Sequence, residues 1–198
     1  LIFRLVLHIF KEYINILDMN LEQKSIYFVD DYLNNEEIAF VDDYFKRPVW
    51  EFGHCTDQSD ERLFKGRWFV ANLEYEKFFN EHLLKKIEKT TDCKWEVLKV
   101  YANGQTILNG GDWHVDAICN PPDPIYFTVL LYVSDIDASN VHIINGCTEF
   151  RPKHKITTIE PLKNRMVLFD STIPHRGNAP TIPGFLRISL AWKLRKIA

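Results

Sequence analysis

His114 and Asp116 stand two residues apart in the run Trp113-His114-Val115-Asp116. In an extended strand, residues i and i+2 face the same way, so this segment can present an imidazole nitrogen and a carboxylate oxygen to one metal ion. Two protein ligands rarely hold an ion. The third candidate is His175, in Ile173-Pro174-His175-Arg176-Gly177, just after the apolar run Met166-Val167-Leu168-Phe169. Two histidines and one carboxylate on one side of an ion leave its other side open, which is the ligand set for non-haem iron(II) chemistry with O₂ and a cosubstrate. Taken singly the residues say little. The chain has seven histidines, His114 reads equally well as a polar strand residue facing water, and His175 as a loop histidine.

An arginine adds weight to the set. In Phe185-Leu186-Arg187-Ile188-Ser189-Leu190-Ala191-Trp192 the residue types alternate. Ile188, Leu190 and Trp192 fall on one face of a strand, and Arg187, Ser189 and Ala191 on the other. A strand with large apolar groups on one side and Arg and Ser on the other suits the wall of a polar pocket. A guanidinium there can take a carboxylate through two parallel hydrogen bonds, and Ser189 can add a hydroxyl. The plainer alternative is an edge strand with a solvated arginine.

These residues need a scaffold. A chain of 198 residues with 46% hydrophobic and 26% charged residues fits one domain with a full core rather than a disordered chain. Its net charge of −3 gives no basic footprint for nucleic acid. Cys55, Cys93, Cys119 and Cys147 form no C-x-x-C pair, which favours free thiols and a reducing, cytoplasmic setting. Residues 1–17 are very apolar, but Arg4, His8, Lys11 and Glu12 interrupt them. That is too short and too charged for a spanning helix, and no small-residue cleavage site follows. Residues 1–22 are read as an N-terminal extension, either a helix packed on the domain or translated upstream sequence, and no membrane partner is expected.

Residues 23–198 are read as one domain in two parts. Over residues 23–94 the pattern predicts a strand at 26–29 and a helix starting at Asn34, with Glu37 closing a capping box and Ile38, Val41 and Phe45 at helical spacing. Residues 58–67 are polar loop, 68–70 a strand, and 74–90 a helix with Phe79, Leu83 and Ile87 on one face. From residue 95 short apolar runs alternate with turns. Strands are predicted at 95–101 (ended by Asn103-Gly104), 125–133, 141–144, 147–151, 156–159, 166–169 and 185–194. Many short strands at this spacing indicate a mainly β fold, a sandwich or jelly roll, braced by the preceding helices.

Residues 95–193 resemble the 2-oxoglutarate/iron(II) dioxygenase superfamily, particularly its prolyl-4-hydroxylase-like branch. The family pattern is H-x-D, a distal His, and an Arg or Lys ten to twelve residues on, here His114-Val115-Asp116, His175 and Arg187. Val100-Tyr101-Ala102-Asn103-Gly104 is similar to the Tyr-x-x-Gly stretch before the metal strand. Gly146-Cys147-Thr148-Glu149-Phe150 resembles the Gly-Gly-Thr-Glu-Phe turn, with Cys147 in place of the second glycine. The resemblance implies a double-stranded β-helix (a cupin-like jelly roll) holding Fe(II) and 2-oxoglutarate. It also implies O₂ as oxidant, ascorbate as reductant, and hydroxylation of a peptide or metabolite with release of succinate and CO₂. It places Tyr101, Thr128, Tyr132 and Ser189 with Arg187 around the cosubstrate, and Trp113, Arg176 and Asn178 as weaker substrate contacts. Tyr126 shares a strand face with Thr128, Leu130 and Tyr132 but reads better as a sheet aromatic. The proline-rich loop 117–124 can shape the entrance. The nucleic-acid demethylase branch carries a second arginine six residues after the first, where this chain has Lys193.

Two other classes compete. One is a jelly roll that binds metal and a carboxylate without turnover, as a sensor or scaffold; an open metal face argues against it. The other is a cupin-like metal enzyme with a different cosubstrate, against which Arg187 argues by its spacing from His175.

Overall fold

The computed structural model describes residues 26–56, 66–116, 126–152 and 155–197, and every structural statement below concerns these. The N-terminal extension, residues 58–65 of the polar loop and the proline-rich loop 117–124 lie outside them.

The elements in chain order are β1 (Ile26–Val29), α1 (Asn35–Tyr44), β2 (Glu51–His54), β3 (Trp68–Asn72), a π-helical turn (Phe78–His82) running into α2 (Leu83–Thr91), β4 (Trp95–Gln105), β5 (Tyr126–Tyr132), α3 (Val141–Ile144), β6 (Thr148–Phe150), β7 (Thr157–Ile159), β8 (Met166–Asp170), β9 (His175–Gly177) and β10 (Arg187–Lys196). Seven strands form one sheet in the order β1-β8-β5-β10-β4-β3-β2, and three form a second in the order β7-β6-β9. All the pairings are antiparallel. The first 94 residues therefore supply three strands of the large sheet as well as two helices.

Alternation along the strands makes two cores. One face of the large sheet, with Val129, Leu131, Leu190 and Trp192, packs against Val41 and Tyr44 of α1 and Phe79, Leu83 and Ile87 of the second helix. The other face brings Leu130, Tyr132, Val167, Phe169 and Ala191 against Phe150 and Ile159 of the small sheet. This is a double-stranded β-helix with helices on its outer side.

Local chemistry explains the element ends. Asn34 accepts from the Glu37 N–H and the Glu37 carboxylate accepts from the Asn34 N–H, both at 2.9 Å, so the predicted capping box is present. Glu37 also takes Lys86 and the His82 ring, tying α1 to α2. The predicted helix over 74–90 starts later, at Phe78, because the Asn72 side chain accepts from the Glu74 N–H at 2.9 Å and holds a turn there. It ends at Asp92 in the left-handed conformation (φ 49°).

Other boundaries differ from the sequence expectation for identifiable reasons. β4 runs through Asn103-Gly104 rather than stopping at residue 101. Gly104 is extended, with Trp50 3.0 Å and Phe69 3.2 Å from where a Cβ would stand, so it serves close packing and not a turn. The strand expected at 141–144 is the short helix α3. Asp137 accepts from the Ser139 and Asn140 N–H groups, and Val141 and Ile144, three apart, bury together beside Ile136. Four apolar-leaning residues cannot tell a strand from one helical turn by themselves. β2 and β9 were not anticipated. β9 follows Pro174, which reads as a loop signal, yet it pairs with β6 in the register Phe150↔His175 and Thr148↔Gly177. No disulfide links Cys55, Cys93 and Cys147. Among the described residues no helix is long and apolar enough to cross a membrane.

Candidate metal and cosubstrate site

The inner face of the large sheet carries the site. Register partners across an antiparallel pair share a face, so Arg187↔Gln105, Ser189↔Asn103, Ala191↔Tyr101 and Lys193↔Lys99 line up between β10 and β4. Ser189↔Tyr132 and Lys193↔Thr128 line up between β10 and β5. The β10–β4 residues among these, with the small sheet, line a cavity of about 680 Å³ whose wall includes Tyr101, His114, Asp116, His175, Arg187 and Lys193.

His114, Asp116 and His175 meet at one end. Their ligand atoms lie within 4.8 Å of one another. Nε2 of His175 is 3.3 Å from Asp116 Oδ2, and Nε2 of His114 is 3.6 Å from Asp116 Oδ1. A reciprocal backbone bridge, His114 N–H to His175 C=O at 3.0 Å and the reverse at 2.9 Å, clamps the two histidine segments together. Each imidazole places Nδ1 against a backbone carbonyl, Asp112 for His114 (2.8 Å) and Ile173 for His175 (2.9 Å). With Nδ1–H donated there, each Nε2 lone pair points to the shared space, as metal-binding histidines require. Burial and the neighbouring His175 push His114 below the ordinary histidine range, which keeps it neutral. Burial opposes ionisation of Asp116, but the Lys193 ammonium and His175 outweigh it and hold the carboxyl well below the usual range. Two imidazoles and one carboxylate, brought together by an isolated bridge between His114 and β9 rather than by a metal-bearing strand at 113–116, fit a divalent ion with an open side.

The other end is built on Arg187, which is 2% exposed. Its Nε donates to the Gly146 carbonyl, Nη1 to Gln105 Oε1 (2.6 Å) and more weakly to Ser189 Oγ (3.4 Å), and Nη2 to Thr148 Oγ1 (2.9 Å). Gln105 in turn donates Nε2–H to the carbonyls of Asn109 and Gly177. Among the described residues no carboxylate pairs with this guanidinium. A buried cation without a counter-charge is costly, so the arrangement suits an anionic ligand. Gly146 makes room for it: φ is +86°, and a Cβ there would stand 2.8 Å from Arg187 Cδ.

The structure distributes the expected residues over both ends. Ser189 and Tyr101 are on the cavity wall. Tyr132 is buried beside Arg187, its ring 5.3 Å from the guanidinium carbon, and its hydroxyl donates to Thr148 at 2.7 Å. Thr128 stands at the metal end instead, donating to Asp116 Oδ2 at 2.8 Å and contacting Ser171. Tyr126, read from sequence as a sheet aromatic, is on the cavity wall. Trp113, Arg176 and Asn178 lie off that wall. Arg176 pairs with Glu149 at 2.8 Å, and the Arg151 and Arg176 guanidiniums lie 4.2 and 4.8 Å from the Trp113 ring. The Asn178 N–H donates to the Cys147 carbonyl.

Sequence reasoning missed Lys193 as a site residue, along with Gln105, Thr148, Lys99 and His54. Lys193 was legible, because it continues the alternation Arg187, Ser189, Ala191. Gln105, Thr148, Lys99 and His54 enter only through strand pairing.

No protein-family model matches the chain, and no curated protein matches it. Solved structures do. A prolyl hydroxylase from Trichoplax adhaerens, in complex with a hypoxia inducible factor oxygen degradation domain peptide fragment, is 17% identical with a TM-score of 0.63, covering 89% of this chain and 85% of that one. A 2OG-Fe(II) oxygenase family oxidoreductase from Burkholderia pseudomallei is 13% identical with a TM-score of 0.64, covering 88% and 87%. A Pseudomonas putida prolyl-4-hydroxylase is 14% identical with a TM-score of 0.61, covering 90% and 96%. The fold is thus the one that 2-oxoglutarate/iron(II) oxygenases use, prolyl hydroxylases among them. The likeness is of fold, and it agrees with a His-Asp-His group able to hold a metal.

Proposed function

We propose that this protein is an Fe(II)- and 2-oxoglutarate-dependent dioxygenase that hydroxylates a peptidyl (prolyl-type) or small-molecule substrate. The carrying observation is that one cavity holds both a His-Asp-His group with its carboxylate ionised and a buried guanidinium that no carboxylate pairs with among the described residues. In the overall reaction one atom of O₂ enters a substrate C–H bond as hydroxyl. The other enters succinate as 2-oxoglutarate loses CO₂, and that decarboxylation supplies the electrons.

His114, Asp116 and His175 would hold the iron, which when bound supplies O₂ activation. The chain's own groups do the rest. The Asp112 and Ile173 carbonyls fix the histidine tautomers, and Thr128 and Lys193 keep Asp116 ionised and oriented. Arg187 binds the far carboxylate of the cosubstrate, with Gln105 and the Gly146 carbonyl holding its fork in place and Ser189 and Thr148 offering hydroxyls. Phe150, Phe169 and Leu130 pack together behind this face.

The test is conversion of 2-oxoglutarate to succinate by purified protein with iron(II), ascorbate and a substrate panel, with Asp116→Ala and Arg187→Ala as controls. Turnover that both substitutions leave unchanged would overturn the assignment. Tight 2-oxoglutarate binding without succinate under any substrate would favour a binding protein.

A further inference from the structure

With the metal ligands and Arg187 set aside, the rest of the cavity wall has a charge of its own. Lys99 and Lys193 are direct register partners on β4 and β10 and both line the cavity. Like charges directly opposite on neighbouring strands repel and weaken a sheet, yet here both ammoniums sit over the Tyr101 ring, 5.3 and 5.8 Å from its centre. His54, on the same wall, is pushed below the ordinary histidine range by burial and then by Lys99 and Lys193. Asp116, which pairs with Lys193, is the one carboxylate on that wall among the described residues, and among them none pairs with the exposed Lys99.

On the reading of the site given above, the loaded centre is balanced without these lysines. A divalent ion and Arg187 offset Asp116 and a dianionic cosubstrate. Once the ion shares the charge of Asp116, the Lys193 ammonium can take another anion, and Lys99 has no carboxylate partner among the described residues. A cavity with two positive charges on one wall, one paired with a prospective metal ligand and one at the solvent-facing edge, attracts and orients an anion. The wall also carries aromatic and aliphatic groups, Trp68, Tyr101, Tyr126, Leu98 and Leu130, among polar ones such as Thr56 and Asn103. Its volume of about 680 Å³ has room for a second small molecule beside the cosubstrate.

We infer that the substrate is a free carboxylic acid with an apolar body. Its carboxylate is held by Lys193 and Lys99 over Tyr101, and its hydrocarbon part lies against Tyr126 and Leu130. This rests on the oxygenase reading for the charge balance, but it is tested by binding. Matched pairs of small carboxylic acids and their primary amides are titrated into protein loaded with Zn(II), an ion that does not turn over, and 2-oxoglutarate. Ligand-observed NMR and thermal shift report affinity, and acidic peptides form a separate arm. The best acids bind at least tenfold more tightly than their amides. Lys99→Glu removes or inverts that ratio, Lys193→Gln reduces it at least threefold, and Lys193→Arg retains it. Metal affinity is measured for each variant, so that damage to the centre is not mistaken for lost recognition.

Amides equal to acids, a ratio unchanged in Lys99→Glu, or binding confined to acidic peptides overturns the inference. A parallel succinate assay with iron(II) separates the two claims. An acid preference with no succinate from any compound refutes the oxygenase reading and supports the anion site. Succinate stimulated equally by acids and amides does the reverse.

Discussion

Arg187→Met would remove the guanidinium while keeping a long apolar stem. In the wild-type protein the fork is held by Gly146, Gln105 and Thr148 and meets no protein carboxylate among the described residues, so its charge is available to a ligand. Two charge-assisted hydrogen bonds to a carboxylate are worth roughly 1.5–3 kcal/mol each. Losing both costs about 3–6 kcal/mol, and since each 1.4 kcal/mol is about tenfold, 2-oxoglutarate affinity falls by about 100-fold or more. The free protein pays separately, because the Gln105 Oε1 and the Gly146 carbonyl lose their donor inside the fold, at about 1–3 kcal/mol each. That cost is offset in part by removal of an unpaired buried charge. The assay is thermal unfolding with Zn(II), with and without 2-oxoglutarate. A ligand at about 100 times its Kd stabilises the native state by about 2.7 kcal/mol, and this increment is expected for wild type and falls to about 0.4 kcal/mol or less for Arg187→Met at the same concentration. If 2-oxoglutarate stabilised Arg187→Met as it does wild type, the assignment of this end of the cavity would be refuted.

Three further outcomes are expected. Gly146→Ala forces a side chain into a left-handed backbone and into Arg187 Cδ, so it costs about 2 kcal/mol of stability and weakens 2-oxoglutarate binding, both readable from one denaturation series. For Glu37, burial opposes ionisation, but Lys86, the Asn34 N–H and His82 outweigh it and lower its pKa. Its contribution to stability is thus present above the ordinary glutamate pKa and lost as pH falls through the lowered folded value; Glu37→Gln lowers stability at pH 7 and flattens that acid limb in a chemical-denaturation pH series. His54, depressed by burial, Lys99 and Lys193, titrates by NMR below about 6.5, and its midpoint rises in Lys99→Gln; an unchanged midpoint would show that the lysines do not set the field in the cavity.

Much of the site was legible because its signals are local. The i, i+2 spacing of His114 and Asp116 pointed to one metal although the segment forms no strand, only an isolated bridge from His114 to His175. The alternation from Arg187 to Trp192 separates a polar from an apolar face whatever that strand pairs with, and the capping box at Asn34 and Glu37 is closed within one helical turn. Where the signal was short or depended on a partner, the sequence misled. Residues 141–144 form a helical turn because Asp137 organises the backbone before them and Ile136 offers a core for Val141 and Ile144. Asn103-Gly104 is strand because Trp50 and Phe69 press on Gly104, and His175 lies on a strand because β6 pairs with it after Pro174.

Residue types and spacing by themselves determined which side chains could hold a metal and a carboxylate, since ligand chemistry and side-chain alternation are written in the order of residues. Only the tertiary structure decided that these groups share one cavity. Antiparallel register sets Gln105 beside Arg187, Thr128 beside Asp116 and Lys99 opposite Lys193. Register is a property of pairs of strands distant in the chain, fixed by how their apolar faces pack together, and no single stretch of sequence carries it.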